Sequence, residues 1–125
     1  RRAARVYVTR GTDSHVGEGG IWDDAVATDI GAIPNKAGNA PAWESLRLDL
    51  EGVVFEFAHH GKGSGREHTR GIGSRAMAAD LASYHWRKFG KRPPHYAIYS
   101  HIHQFNDTGI ADFPVRVMTT GLSDS

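Results

Sequence analysis

The chain has 125 residues, of which 39% are hydrophobic and 23% charged, and its net charge is +1 with the histidines neutral. This composition is typical of one globular domain and gives no global indication of nucleic-acid or membrane binding. The lack of cysteine excludes disulfides and thiolate metal sites, which leaves His, Asp, Glu and Asn as candidate ligands. We find no apolar run long enough for a membrane span and no signal-peptide pattern, so we expect a cytoplasmic protein.

The first predicted elements are a strand over about residues 5–9 and a helix over about residues 20–30. The strand is an apolar, β-branched run that breaks at Gly11. The helix has an imperfect apolar stripe, with Asp23 and Asp24 in its first turn, where carboxylates suit the helix dipole. Residues 31–43 are rich in Gly, Pro and Asn and are predicted to form a loop.

A β-hairpin is predicted over residues 46–58. Leu46, Leu48 and Leu50 alternate with polar residues, and Glu51-Gly52 is a plausible tight turn into the apolar run 53–58. The second strand ends in a pair of histidines, His59 and His60.

A Gly-rich loop is predicted over residues 61–73, and it does not match the phosphate-binding P-loop. Its candidate substrate contacts are Arg66, His68 and Arg70. Ser74 is a suitable N-cap for a helix over about residues 75–89, in which His85 is expected to be an ordinary packed or surface histidine.

The apolar run 96–99 is predicted to be a buried strand that leads into Ser100-His101-Ile102-His103. Alternate residues of an extended segment point to the same side, so His101 and His103 are expected to aim their imidazoles at one place. Such a pair suits zinc, iron or manganese. A loop follows, and the final strand is predicted over about residues 115–119.

Three apolar runs therefore break into polar loops that carry histidine. The order of these loops, with Gly11 to His15, then His59 or His60, then Ser100-His101-x-His103, resembles the second half of a calcineurin-like metallophosphoesterase. That family has a Gly-Asn-His turn, a lone His after a strand and a Gly-His-x-His pair. The resemblance implies metal ligation by His59, His101 and His103, with His60 as the alternative to His59. It also implies a catalytic proton-donor or hydrogen-bonding role for His15.

In this family, two divalent ions, here expected to be Mn, Fe or Zn, hydrolyse a phosphomono- or diester of a small molecule or nucleic acid. The present sequence departs from the family motifs in two ways. Its first turn is two residues longer and has Thr12 where the Asn ligand would be, although Asp13 is a candidate substitute. We assign no residues of this chain to the family's earlier Asp-x-His and Gly-Asp motifs, which supply the remaining ligands, including the bridging carboxylate.

The chain is therefore expected to be the C-terminal portion of such a fold, with the missing strands lost by truncation or supplied by another chain. Its start at Arg1 rather than Met agrees with that expectation. The predicted fold is an α/β layered sandwich of mixed sheets, formed by residues 1–125 as a single domain. We expect the strands ending at Thr9, Ala58 and Tyr99 to lie close together.

Two other functions are considered. The first is a non-catalytic binding or structural module that keeps the phosphoesterase scaffold, which the missing acidic ligands favour. The second is a hydrolase of the metallo-β-lactamase type, which is disfavoured because no Asp-His follows His103 in the required His-x-His-x-Asp-His pattern.

Overall fold

The computed structural model describes residues 4–12, 17–60, 72–90, 92–101, 103, 105–109 and 115–120, without the side chains of His85 and Phe89. These residues form a mixed α/β protein with a five-stranded mixed sheet and two α-helices. The chain divides into two compact units, residues 1–46 and 47–125. The single domain expected from the sequence stays a prediction.

In the first unit, a short 3-10 turn, Glu18–Gly20, leads into helix α1, Ile21–Asp29. The helix predicted over residues 20–30 is thus confirmed. The two first-turn acids also hold neighbouring loops, because Asp23 accepts a hydrogen bond from the Gly11 backbone N–H at 2.7 Å. Asp24 accepts one from the backbone N–H of Ala42 at 3.0 Å.

The strand predicted over residues 5–9 is not formed as such. Thr9 makes one isolated parallel bridge with Trp43, and this segment is not part of the five-stranded sheet. The backbone N–H of Trp43 donates to the Val8 carbonyl at 2.8 Å, and the backbone N–H of Arg10 donates to the Trp43 carbonyl at 2.7 Å. A bridge to a single residue gives no ladder, so an apolar extended pattern alone does not produce a strand here.

The sheet has the strand order β1-β2-β3-β5-β4. β2 pairs with β3, and β3 with β5, in parallel, whereas β4 and β5 are antiparallel. Four of the strands confirm predicted ones, and β4 falls in a predicted loop. The strands are β1 Ser45–Leu50, β2 Val53–Ala58, β3 Tyr96–Tyr99, β4 Asn106–Asp107 and β5 Arg116–Thr119.

The predicted tight turn between β1 and β2 is confirmed. Glu51 and Gly52 both have left-handed backbones, with φ values of 55° and 88°, as a two-residue hairpin turn requires. Asp49 supports the turn by accepting a hydrogen bond from the Gly52 N–H at 2.8 Å.

Helix α2, Ile72–Phe89, covers one face of the sheet. The core consists of buried, mostly small side chains on the helix and the central strands. These are Ala78, Ala97, Tyr99, Val115 and Val117.

The helix begins before the predicted Arg75, so the assignment of Ser74 as its N-cap is wrong. Ser74 lies within the helix and is buried. Tertiary packing therefore outweighs the low helix propensity of Gly73.

The α/β class is confirmed, and the layered sandwich stays a proposal. Among the described residues, neither helix is both long enough and apolar enough to cross a bilayer.

Candidate functional site

The candidate site lies where the parallel strands β2 and β3 end. The backbone N–H of Ser100, just after β3, donates to the His59 carbonyl at 3.1 Å. Thr120, just after β5, donates its N–H to the Tyr99 carbonyl at 2.8 Å. Strands β2, β3 and β5 therefore end next to one another, and the residues that follow them share one edge of the sheet. Open α/β sheets commonly bind ligands at this edge.

Three imidazole rings are in mutual contact at this edge. The centroid of His59 lies 5.3 Å from that of His60 and 5.1 Å from that of His101, and the His60 and His101 centroids are 5.3 Å apart. We call His59, His60 and His101 the histidine triangle. His59 is half-buried with its Nε2 atom enclosed, whereas His60 and His101 are exposed. One member of the triangle, His59, is therefore partly enclosed by the protein, and the other two face the solvent.

His59 and its alternative, His60, face the same neighbour. Both rings contact His101. The reason is that β2 ends at Ala58, so the alternation of an extended strand does not apply to the two residues after it.

Strand β3 ends at Tyr99, and the described histidines after it do not continue it as extended backbone. His101 and His103 have φ values of 71° and 55°, in the left-handed region that non-glycine residues seldom adopt. Strict alternation is therefore lost. Among the described residues, the ring contacts of the triangle do not include His103, which is exposed. Ligation by His59, His101 and His103 stays a prediction.

The other predicted functional positions have no described structure. His15, the predicted catalytic residue, and Asp13, the candidate substitute ligand, lie outside the described residues, as do Arg66, His68 and Arg70. Asp13 and His15 have the Asp-x-His spacing of the family's first motif, which the sequence interpretation did not take into account.

The fit of the triangle to a metal ion is partial. Two imidazoles on one tetrahedral ion, at about 2.0–2.1 Å each, have ring centroids roughly 5 Å apart. The triangle has this spacing. Within the described part of the chain, however, no three His, Asp or Glu side chains are arranged to hold an ion as they stand. The pairwise ring spacing is thus compatible with imidazole ligation, while the three described rings do not as they stand form a metal-binding group.

A partly buried polar pair links strands β2 and β3, which the triangle follows. The hydroxyl of Tyr99, on β3, donates to Glu56 Oε1, on β2, at 3.2 Å. Burial, together with the adjacent Glu56 carboxylate, raises the pKa of the Tyr99 phenol. Tyr99 therefore stays a neutral donor and holds the two strands in register.

The residues after the histidine loop are tied to β5. Asp107 accepts a hydrogen bond from Arg116 Nε at 2.8 Å, and a second, very short one from the same guanidinium. The bonds from Arg116, followed by one from the Gly109 N–H, lower the pKa of Asp107 to about 2. Asp107 is therefore charged at neutral pH and fixes β4 beside β5.

A scan against protein-family models and searches of curated proteins and of solved structures found no match to the chain. The family resemblance therefore depends on the histidine motifs alone.

His59, His60 and His101 were each identifiable from the sequence, but the contact of all three rings with one another was not. The Tyr99–Glu56 pair and the threonines at the end of β5 were missed. Tyr, Glu and Thr are common in strands, and no sequence spacing distinguishes these four residues from other Tyr, Glu and Thr residues of the chain.

Proposed function

We propose that this chain contributes the histidine side of a metal-dependent phosphoesterase site. The observation that carries the proposal is the histidine triangle at the carboxyl ends of two parallel strands. Packing alone gives little reason to gather three imidazoles, two of them exposed, at such an edge. The order of the histidine loops along the chain, which resembles the metallophosphoesterase order, supplies the reaction class.

The roles of the residues follow from their burial. His59, half-buried, would be the fixed ligand, and His60 and His101, both exposed, would bind from the solvent side. Divalent ions held there would supply Lewis acidity toward a phosphoryl oxygen and lower the pKa of bound water. Only neutral imidazoles can ligate, so metal binding should weaken at acidic pH.

The ligand count limits what the triangle does by itself. Three imidazoles can hold one ion, whereas a dinuclear phosphoesterase site also needs a bridging carboxylate. The acidic ligands would come from an Asp-x-His and a Gly-Asp segment, in the same polypeptide or another. A layered sandwich, a second sheet facing the one described, would accommodate those strands.

The experiment has two parts. Elemental analysis after Zn²⁺ loading should find about one ion per chain, and His101→Ala should remove it. Hydrolysis of bis-p-nitrophenyl phosphate with Mn²⁺ should be negligible for the 125-residue chain. It should appear when a segment with both acidic motifs is added, and His101→Ala should abolish the gain. Loss of the ion in His101→Ala without any gain of hydrolysis would contradict the phosphoesterase assignment.

A binding module that keeps the scaffold is the second candidate. It is favoured by the finding that, in the described residues, no acidic side chain completes a metal-binding group with the histidines. The same hydrolysis assay separates the two functions, because a module would show no turnover with the acidic segment present.

A further inference from the structure

Described residues before and after the two histidines His101 and His103 form hydrogen bonds with the end of β5. His101 and His103 have left-handed backbones, which persist in non-glycine residues only where surrounding contacts enforce them. The described side-chain hydrogen bonds around these histidines come from Thr119 and Thr120, in addition to the backbone bond from Ser100 to the His59 carbonyl.

At the start of the loop, Thr120 makes several contacts. Its Oγ1 lies 3.2 Å from the Ser100 hydroxyl and 3.4 Å from the Tyr99 carbonyl. Its backbone N–H donates to the same carbonyl at 2.8 Å. These bonds fix the residue immediately before His101.

At the end of the loop, the hydroxyl of Thr119 accepts a hydrogen bond from the Asn106 N–H at 2.9 Å. Thr119 is fully buried, with 0% of its surface exposed, so its hydroxyl has a fixed position. Asn106 is also its register partner in the β4–β5 ladder. The hydroxyls of Thr119, the last residue of β5, and of Thr120, just after it, therefore bond to the chain before and after the histidines.

We propose that Thr119 and Thr120 are positioning residues that hold His101 in contact with His59 and His60. The proposal rests on the proposed function for its purpose, since a preset triangle binds an ion without first ordering the loop. Its geometric part can be tested in the metal-free protein, independently of phosphoester chemistry.

Thr119→Val and Thr120→Val remove the two hydroxyls with little change in side-chain volume. The matched control is Thr108→Val, because the Thr108 hydroxyl also bonds to β5, accepting from the Val117 N–H at 2.9 Å, but farther from the histidines. Thr119→Ser and Thr120→Ser keep the hydroxyls and should restore wild-type behaviour.

The first readout is the NMR signals of the His59, His60 and His101 imidazoles in the metal-free 125-residue chain at fixed pH. We expect both Val variants at positions 119 and 120 to shift or broaden the His101 signal, and Thr108→Val and the Ser variants to leave it unchanged. Equal effects in Thr108→Val, or no effect in either test variant, would overturn the proposal. If Thr119→Val does not fold, Thr120→Val and its Ser counterpart decide the matter.

The second readout is the Kd for Zn²⁺ alone, measured by calorimetry. Loss of support behind a metal ligand weakens binding by about 10–100-fold, so we expect at least about a tenfold rise in Kd for both test variants. Thr108→Val should change Kd less than about twofold. If the wild-type chain binds no Zn²⁺, the proposed metal site fails, while the NMR comparison still decides the positioning role.

Discussion

The imidazole of His60 lies 5.3 Å from that of His101, across the ends of two parallel strands, although the neighbouring His59 contacts the same ring. Adjacent residues converge in this way only because β2 has already ended at Ala58. The contact makes His60, rather than His103, the third member of the triangle, and the two choices of third ligand are experimentally separable.

His60→Ala should weaken Zn²⁺ binding by more than about tenfold, since loss of a ligand exceeds the effect of losing its supporting contacts. His103→Ala, the matched control with another exposed histidine removed, should leave the Kd within about twofold. Calorimetric titration with Zn²⁺ measures both. The opposite ranking would restore the motif-based set of His59, His101 and His103.

Gly20→Ala should destabilise the protein more than Gly19→Ala. Both glycines have positive φ, 72° and 67°, so each substitution costs about 1 kcal/mol or more for the left-handed backbone. A Cβ at Gly20 would lie 2.5 Å from Arg10 Cδ, whereas one at Gly19 meets nothing within 4 Å. The clash displaces Arg10 from its 2.7 Å ion pair with Asp24.

Urea unfolding measures the difference between the two glycine variants. We expect Gly20→Ala to lose at least about 1 kcal/mol more than Gly19→Ala, the range expected for overpacking. If both variants lose the same free energy of unfolding, the Arg10 side chain can move away from the added Cβ without destabilising the protein.

Asp107→Asn should remove a stabilisation that depends on pH. The folded-state pKa of Asp107, about 2, lies below its ordinary value of 3.8, so folding favours the charged form. The contribution is therefore fully present above about pH 4 and is lost as the pH falls toward 2. The pair is partly solvent-exposed, so we expect about 1 kcal/mol or less at pH 7.

The free energy of unfolding, measured from pH 2 to pH 7 for wild type and Asp107→Asn, checks this prediction. The two curves should converge at low pH. Arg116→Gln should flatten the pH dependence in the same way, because it removes the hydrogen bonds to Asp107. Parallel curves over the whole range would argue against the ion pair.

Tyr99→Phe should cost about 1 kcal/mol at neutral pH, the usual net value of one hydrogen bond. The raised folded-state pKa of Tyr99 means that folding favours the neutral phenol, so its contribution is present below about pH 10. It is lost as the pH rises further, toward the folded-state pKa. The control is Tyr84→Phe, because Tyr84 is 47% exposed.

Unfolding curves recorded up to alkaline pH measure both tyrosine variants. Wild type should lose stability above about pH 10, while Tyr99→Phe should lose less. A Tyr84→Phe substitution that cost as much as Tyr99→Phe at neutral pH would remove the special role of the Tyr99–Glu56 pair.

Local patterns predicted most of the elements of the second unit. Alternating leucines and a Glu-Gly turn suffice for β1 and β2, and apolar runs bounded by turn residues suffice for β3 and β5. Strand β4 could not be predicted, because two residues, Asn106 and Asp107, carry no period. Their pairing depends on Thr119 and Arg116, which are distant in sequence.

The sequence indicates which histidines follow the strands, but it does not indicate which imidazole rings come into contact. Histidine after each of two strands indicates a shared edge, because parallel strands end together. The pairing of His101 with His103 assumed an extended backbone, and the left-handed φ values of both residues remove that alternation. The backbone conformation just after each strand decides which rings come into contact. The alternation of side chains along an extended strand no longer applies there.

The parallel pairing of β2 with β3 has a kinetic consequence. The β1–β2 hairpin closes through a two-residue turn, and such hairpins form within about 1–10 μs. The β2–β3 ladder, by contrast, joins Ala58 to Tyr99 and requires the long connection that contains α2 to close first. Non-local parallel pairings of this kind form slowly. The approach of His101 to His59 should therefore coincide with a late folding step, and recovery of Zn²⁺ binding after dilution from urea should lag behind the return of helical circular dichroism.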